Sequence, residues 1–367
     1  MKALTGVCIF GGYARGYARN EVVQKGLAKL GIPVRSCYVS HKVRVPFRYF
    51  GLAYKYFRAP QDFSVIYVPE FRHKDVPAAW LLGKLTRKRV VFDPLVSRYD
   101  TRVHDRGDAR DRSWQAWHNK NIDRLSMALA DIVLADTQAH ADYYTRELGI
   151  NPGKIRLLPV GFDEDIFHPD VAPAPPEPPA KTGPPVYKVL FYGTYLPLHG
   201  IQTILEAAGQ LRSHPEIRFE LIGGGQTRPE AETYVEQEQL TNVQFSSRVP
   251  IEDLATKIAS ADICLGIFGR TRKALRVVPN KVYQCLAMGK AVITARSEAI
   301  QEHFQEGEHI CLVPPGDAGA LAEKILYIQQ HPEEHAAIAR RAAEHLMQHY
   351  SSERIADGFV QAGTGNR

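Results

Sequence analysis

The chain of 367 residues has no cysteines in a metal-ligand or redox spacing: Cys8, Cys37, Cys264, Cys285 and Cys311 are scattered and none belongs to a CxxC pair. Isolated thiols in apolar runs behave as small hydrophobes, which suits a reducing compartment. Long hydrophobic runs are also missing. No stretch reaches the length of a membrane span. The first ten residues hold one lysine and a short strand pattern, too brief for the apolar region of a signal peptide. A cytoplasmic protein, soluble or peripheral on the inner face of a membrane, is therefore expected. His104, His118 and His140 lack metal-ligand spacing, so they read as structural or surface residues and no metal is expected. The first glycine-rich turn, FGGYARGYARN, does not have the GxGxxG spacing. A nicotinamide or flavin is thus unsupported, and no cofactor is expected. The most informative absence is local. Between Asp262 and Glu298 there is no acid, while Arg270, Arg272, Lys273, Arg276, Lys281, Lys290 and Arg296 all fall there.

What is present is an alternation of buried-strand and helical patterns. In the first half, strands are expected at 4–10, 33–39, 64–68, 89–92, 132–135 and 155–159, with helices at 19–30, 78–85, 123–130 and 139–148. In the second half, strands are expected at 188–192, 218–222, 243–245, 263–268, 291–294 and 310–313, with helices at 200–211 and 251–259. Such alternation specifies α/β units with parallel sheets. The phrases ALADIVLAD and ASADICLGI occur once in each half, as if one architecture were used twice. Eight prolines crowd residues 168–186, where neither a helix nor a central strand can form. The expected organisation is a Rossmann-like domain at 1–168, a proline-rich linker at 169–186 and a second Rossmann-like domain at 187–340. Residues 341–367 would form a C-terminal helix able to cross back to the first domain.

Open parallel sheets bind ligands at the carboxyl ends of their strands. Four such ends stand out. The first is the turn with Gly11 and Gly12, followed by Arg15 and Arg19. The second, YGTYLPLHG, offers Gly193, Thr194 and His199. The third, LIGGGQT, offers Gly223 and Gly224. The fourth is the acid-free segment, where Lys273 precedes Pro279, Asn280, Lys281 and Gln284. A cationic loop feeding a helix N-terminus is a physical form of a diphosphate site. Pro279 is expected at the first helical position, where its missing N–H costs nothing.

Taken in order, these pieces resemble the GT-B retaining glycosyltransferases of family four. The resemblance rests on Gly193 with His199-Gly200, the glycines 223–225, the Ala-Asp-strand phrase at 261–265 and the helix end AMGKAVI at 287–293. In the first half it rests on FGGYARG and on LPVGFDEDIFHP. It implies two doubly wound Rossmann-like domains facing a central cleft. It also implies transfer of a sugar from a UDP, GDP or ADP sugar to a hydroxyl acceptor, without a metal and with retained configuration. Two rivals share the architecture: a nucleotide-sugar epimerase and an inactive nucleotide-sugar-binding protein. The chain departs from the family pattern at four positions. Arg276 and Gln284 stand where two glutamates are usual, and Thr194 and His199 stand where an arginine and a lysine are usual. Gln284 could still bond ribose hydroxyls, and Lys273 or Lys281 could replace the missing first-loop charge. The resemblance also directs attention to Asp93 and Asp100 as catalytic carboxylates near the acceptor, although Asp93 before Pro94 reads equally as a turn former.

Residues 41–58, HKVRVPFRYFGLAYKYFR, carry five lysines and arginines, six aromatics and no acid. At partly helical spacing this suits an anionic membrane surface. It suits equally a helix with aromatics turned inward and cations outward. Nothing else resembles a nucleic-acid module, and no nucleic acid is expected.

Overall fold

A computed structural model describes residues 4–173 and 186–365. The chain divides into two compact units, 1–163 with 349–367, and 164–348. The proline-rich stretch expected at 169–186 lies outside the described residues from 174 to 185.

The first unit runs β1 (Val7–Gly11), α1 (Ala18–Lys29), β2 (Val34–Tyr38), α2 (Val45–Arg58), β3 (Val65–Val68), α3 (Val76–Thr86), β4 (Arg89–Phe92), α4 (Trp114–Leu129), β5 (Ile132–Ala135), α5 (Gln138–Arg146) and β6 (Ile155–Leu157). Its six strands are parallel in the order β2-β1-β3-β4-β5-β6. Side chains alternate across a strand, and the core divides accordingly. Cys8 and Phe10 join the layer under α2 to α5, whereas Val7 and Ile9 join the opposite layer under α1. Both faces are covered, which is why these strands read as continuous apolar runs.

The second unit runs β7 (Tyr187–Thr194), α6 (Ile201–Gln210), β8 (Ile217–Gly224), α7 (Arg228–Gln237), β9 (Val243–Ser246), α8 (Ile251–Ala259), β10 (Ile263–Leu265), α9 (Asn280–Ala287), β11 (Ala291–Ala295), α10 (Glu298–Gln301), β12 (Cys311–Val313), α11 (Ala318–Gln330) and α12 (Pro332–His349). Its parallel order is β12-β11-β10-β7-β8-β9. The final helix, α13 (Ser352–Thr364), belongs to the first unit. There Ile355, Ala356 and Phe359 pack with Val22, Val23 and Leu27 of α1. The two helices approach so closely that a Cβ on Gly26 would lie 1.9 Å from the Ser352 carbonyl oxygen. The return to the first unit therefore begins after α12, at 349, and not at 341.

Two local readings change. Pro279 is the N-cap, in extended backbone, and the helix begins at Asn280; the Pro279 carbonyl accepts from the Val282 amide at 2.9 Å. Helix α4 starts at Trp114, well before 123, capped by the Ser113 hydroxyl, which accepts from the Ala116 amide. Among the described residues, no helix is long and apolar enough to cross a membrane.

Candidate functional site

Most of the expected donor residues meet at one edge of the second sheet. Strands β7 and β8 end in register, Gly193 beside Gly223 and Thr194 beside Gly224. Gly193 and Gly223 have φ of 148° and 122°, and a Cβ on Gly223 would lie 2.0 Å from the Gly193 carbonyl oxygen. Only glycine satisfies both demands. The result is a backbone shelf without side chains, with Thr194 and Gly224 exposed at its rim.

Helix α9 aims its first turn at this shelf. Lys281 Nζ lies 3.1 Å from where a Cβ on Gly193 would stand and 3.8 Å from the centroid of the Phe191 ring. The residue is only 5% exposed, and its ammonium has no hydrogen-bond partner among the described residues. Burial lowers its pKa from 10.5 to about 7. The backbone N–H groups of Asn280 and Lys281 make no hydrogen bond among the described residues, as expected for a helix start. A cation at a helix N-terminus opposes the helix dipole. The arrangement is therefore unfavourable without an anion.

His199 closes the second loop. Its Cε1 lies 3.4 Å from the same Cβ position on Gly193. Burial, then the charge of Lys281, push its pKa well below the usual imidazole value, with Lys273 adding a smaller repulsion. His199 is thus a neutral group and not a replacement cation. Lys273 is itself buried. Gln284, one turn after Lys281, accepts a hydrogen bond from the Tyr192 hydroxyl at 2.8 Å through its Oε1. Two nearby arginines are committed elsewhere. Arg270 donates to the Gly316 carbonyl at 2.6 Å, and Arg228 pairs with Glu232 and donates to the Gly223 carbonyl.

The first unit treats its expected residues differently. The Gly12 amide is already used, donating to Asp75 Oδ2 at 2.9 Å, and a Cβ on Gly11 would lie 2.9 Å from the same oxygen. This turn closes on Asp75 instead of offering free amides. Asp93 is fully buried and takes Arg19 Nε at 2.5 Å and the Tyr67 hydroxyl at 3.1 Å. Arg19 donates its other nitrogens to the carbonyls of Pro159 and Leu158. The Asp93 carboxylate thus forms a buried ion pair with Arg19 through Oδ2, while its Oδ1 has no hydrogen-bond partner among the described residues. Asp100 is also buried, opening a short π-helical turn at Asp100–Asp105. Its amide bonds Ser97 Oγ at 3.0 Å, and Ser97 in turn donates to Asp123 at 2.6 Å. Neither carboxylate faces solvent.

Sequence reasoning missed Glu70, Asn20 and Asp136. Glu70 follows β3 with both carboxylate oxygens buried and unpartnered among the described residues; burial and the charge of Asp93 raise its pKa to about 8. Both side-chain polar atoms of Asn20 are likewise buried without a partner. Asp136 lies 2.5 Å from His140 Nδ1. A signal existed: an acid follows the apolar strand in VIYVPE, VVFD and IVLAD.

Helix α2 turns part of residues 41–58 inward and part outward. Leu52 and Tyr56 face the core, and Arg48 is buried against Asp75 at 2.7 Å. Arg48 is therefore not one of the surface cations. Phe47, Phe50, Tyr54 and Phe57 point outward, with Phe50 77% exposed.

Two units of parallel sheet, with a glycine shelf and a buried lysine at the carboxyl edge of the second, have the form of the GT-B sugar-transfer enzymes. Residues 6–161 match the family described as "Glycosyl transferase 4-like domain" and residues 202–361 the family described as "Glycosyl transferase-like". By these two matches together the chain belongs to the glycosyl transferase 4-like family, and its fold is GT-B. Among curated relatives it is similar to the lipopolysaccharide core biosynthesis glycosyltransferase LpsE of Rhizobium meliloti, at 26% identity over 47% of this chain and 48% of that one. It is also similar to the putative colanic acid biosynthesis glycosyltransferase WcaL of Escherichia coli, at 23% identity over 57% and 51%. The matched stretch spans about half the length of these relatives. Among solved structures, sucrose-phosphate synthase from Thermosynechococcus elongatus superposes with a TM-score of 0.75 at 19% identity, covering 97% of this chain and 98% of that one. Anabaena HepE in complex with UDP superposes at 0.68 and 15% identity, covering 97% and 98%. These two likenesses are likenesses of fold.

Proposed function

We propose that the chain transfers a sugar from a nucleotide sugar to a hydroxyl acceptor, without a metal and with retained configuration. The donor diphosphate sits on the Gly193–Gly223 shelf in front of Lys281. The observation that carries this reading is the buried, unpartnered Lys281 ammonium beside a side-chain-free backbone edge. Charge that develops on the leaving diphosphate would be met by a group already desolvated and oriented, the most effective form of transition-state stabilisation. Lys273 and the first amides of α9 add to the same field, and Gln284 is the group offered to a ribose hydroxyl. Neutral His199 shapes the pocket without charge. UDP is the first nucleotide to test, since HepE was solved with UDP and with UDP-glucose. The acceptor side of this reading includes an anionic membrane surface contacted through residues 41–58, on the cytoplasmic side, where five buried free cysteines are at home.

A thermal-shift panel with UDP, GDP and ADP tests the donor assignment. One nucleoside diphosphate should raise the melting temperature, and Lys281→Ala should abolish the rise. No shift with any of them would overturn it. Nucleotide release that depends on an added acceptor separates transfer from epimerisation.

A further inference from the structure

Helices α2, α3 and α4 cover one face of the first sheet, packing through Leu52, Ala79, Leu82 and Met127 into the same core layer. Their outer surfaces carry an unusual amount of exposed apolar area. On α2 these are Phe47, Phe50, Tyr54 and Phe57; on α3, Leu81 and Leu85. On α4, Trp114 and Trp117 are 70% and 62% exposed. Isolated exposed apolar residues are ordinary, but three adjacent helices each presenting them mark an interaction surface.

The charge around them is one-sided. Between residues 41 and 129, twelve lysines and arginines are exposed, against three exposed acids, Asp62, Asp108 and Asp111. Asp62 is already paired with Arg35. The other acids of this segment, among them Asp75, Asp93 and Asp123, are buried. On α2 Lys55 and Arg58 alternate with Tyr54 and Phe57; on α3 Lys84, 3.8 Å from Asp131, lies between Leu81 and Leu85. Phenylalanine, tyrosine and tryptophan ringed by cations fit the boundary between acyl chains and anionic headgroups. A second copy of this chain is disfavoured, because a two-fold contact would bring two like-charged faces together.

We propose that the outer face of α2, α3 and α4 docks the protein on an anionic lipid bilayer. This rests on the reading of residues 41–58 as a membrane contact and widens it to α3 and α4.

The test is sedimentation of the full chain with vesicles of phosphatidylcholine alone, or with about a third phosphatidylglycerol. Pelleting should require the anionic lipid and should fall about tenfold or more as salt rises from roughly 0.05 to 0.3 M. Phe47→Ser with Phe50→Ser, and separately Trp114→Ser with Trp117→Ser, should each weaken binding by about tenfold. All four side chains are exposed, so both variants should keep the wild-type melting temperature and its shift with UDP. Absence of pelleting, or unchanged pelleting of both variants, would overturn the surface. So would a dimer in analytical ultracentrifugation that the phenylalanine variant dissociates. A missing UDP shift alongside intact vesicle binding would count against the donor site and leave the surface standing.

Discussion

Replacing Lys281 by Met keeps the unbranched stem and removes the charge. In the ligand-free protein that charge is a burden: burial lowers the pKa from 10.5 to about 7, a difference of roughly 5 kcal/mol between the charged and neutral forms. The unfolded chain keeps the proton up to pH about 10.5, whereas the folded protein releases it near 7. Between these values the unfolded state binds more protons, so stability rises with pH across that window and the full cost is felt below pH 7. Lys281→Met should therefore be more stable than wild type at pH 6 by about 2 kcal/mol or more, a rise of roughly 4 °C or more in melting temperature. Ligand binding should move the other way. A charge-assisted hydrogen bond to a phosphate oxygen contributes about 1.5–3 kcal/mol, so UDP affinity should fall by roughly 10- to 100-fold. Calorimetric titration and thermal melts on the same two proteins read both effects. A variant less stable than wild type at pH 6, or one with unchanged UDP affinity, would remove Lys281 from the donor site.

Binding of UDP at pH 7 should take up about half a proton, because a lysine near its pKa becomes fully protonated beside the diphosphate; titrations in buffers of different ionisation enthalpy measure it. Asp93→Asn should destabilise by about 3–5 kcal/mol, since it strands the buried Arg19 guanidinium. A stable but inactive Asp93→Asn, judged by denaturant melts and a transfer assay, would favour a catalytic role for Asp93 instead. Glu70 titrates the opposite way to Lys281. Its folded pKa of about 8 lies above the usual 4.5, so the folded protein holds the proton longer and stability falls as pH rises from about 4.5 to 8. Glu70→Gln should flatten that fall in melts across this range. Gly26→Val should displace α13 from α1, which accelerated proteolysis after 349 would report, since the added Cβ meets the Ser352 carbonyl.

Much of the architecture could be read from the chain because strands buried on both faces leave unmistakable apolar runs, as in β1, β3 and β5. Helix α7 left no such trace: RPEAETYVEQ buries only Ala231, so its apolar spacing has no period to follow. The early part of α4 was hidden because Trp114 and Trp117 face outward and break the inward pattern. Helix α11 was missed as well, although its Asp317 cap ahead of Leu321, Ile325 and Ile328 is a readable signal. The cationic setting of Lys281 was legible because seven lysines and arginines fall between Asp262 and Glu298 without an acid; its burial was not. The state of Asp93 was not, because its partner Arg19 lies 74 residues away and only the fold joins them. The aromatics of α2 had helical spacing, but spacing alone does not say which stripe faces the core. Arg48, bonded to the buried Asp75, decides that.

On the proposed reading, Lys281 and the glycine shelf of β7 and β8 hold a diphosphate. A crystal structure of the complex with UDP decides whether they do. A diphosphate oxygen within about 3 Å of Lys281 Nζ, above Gly193, is the predicted result. A diphosphate seated elsewhere, with the Lys281 ammonium still without an anion, would contradict it.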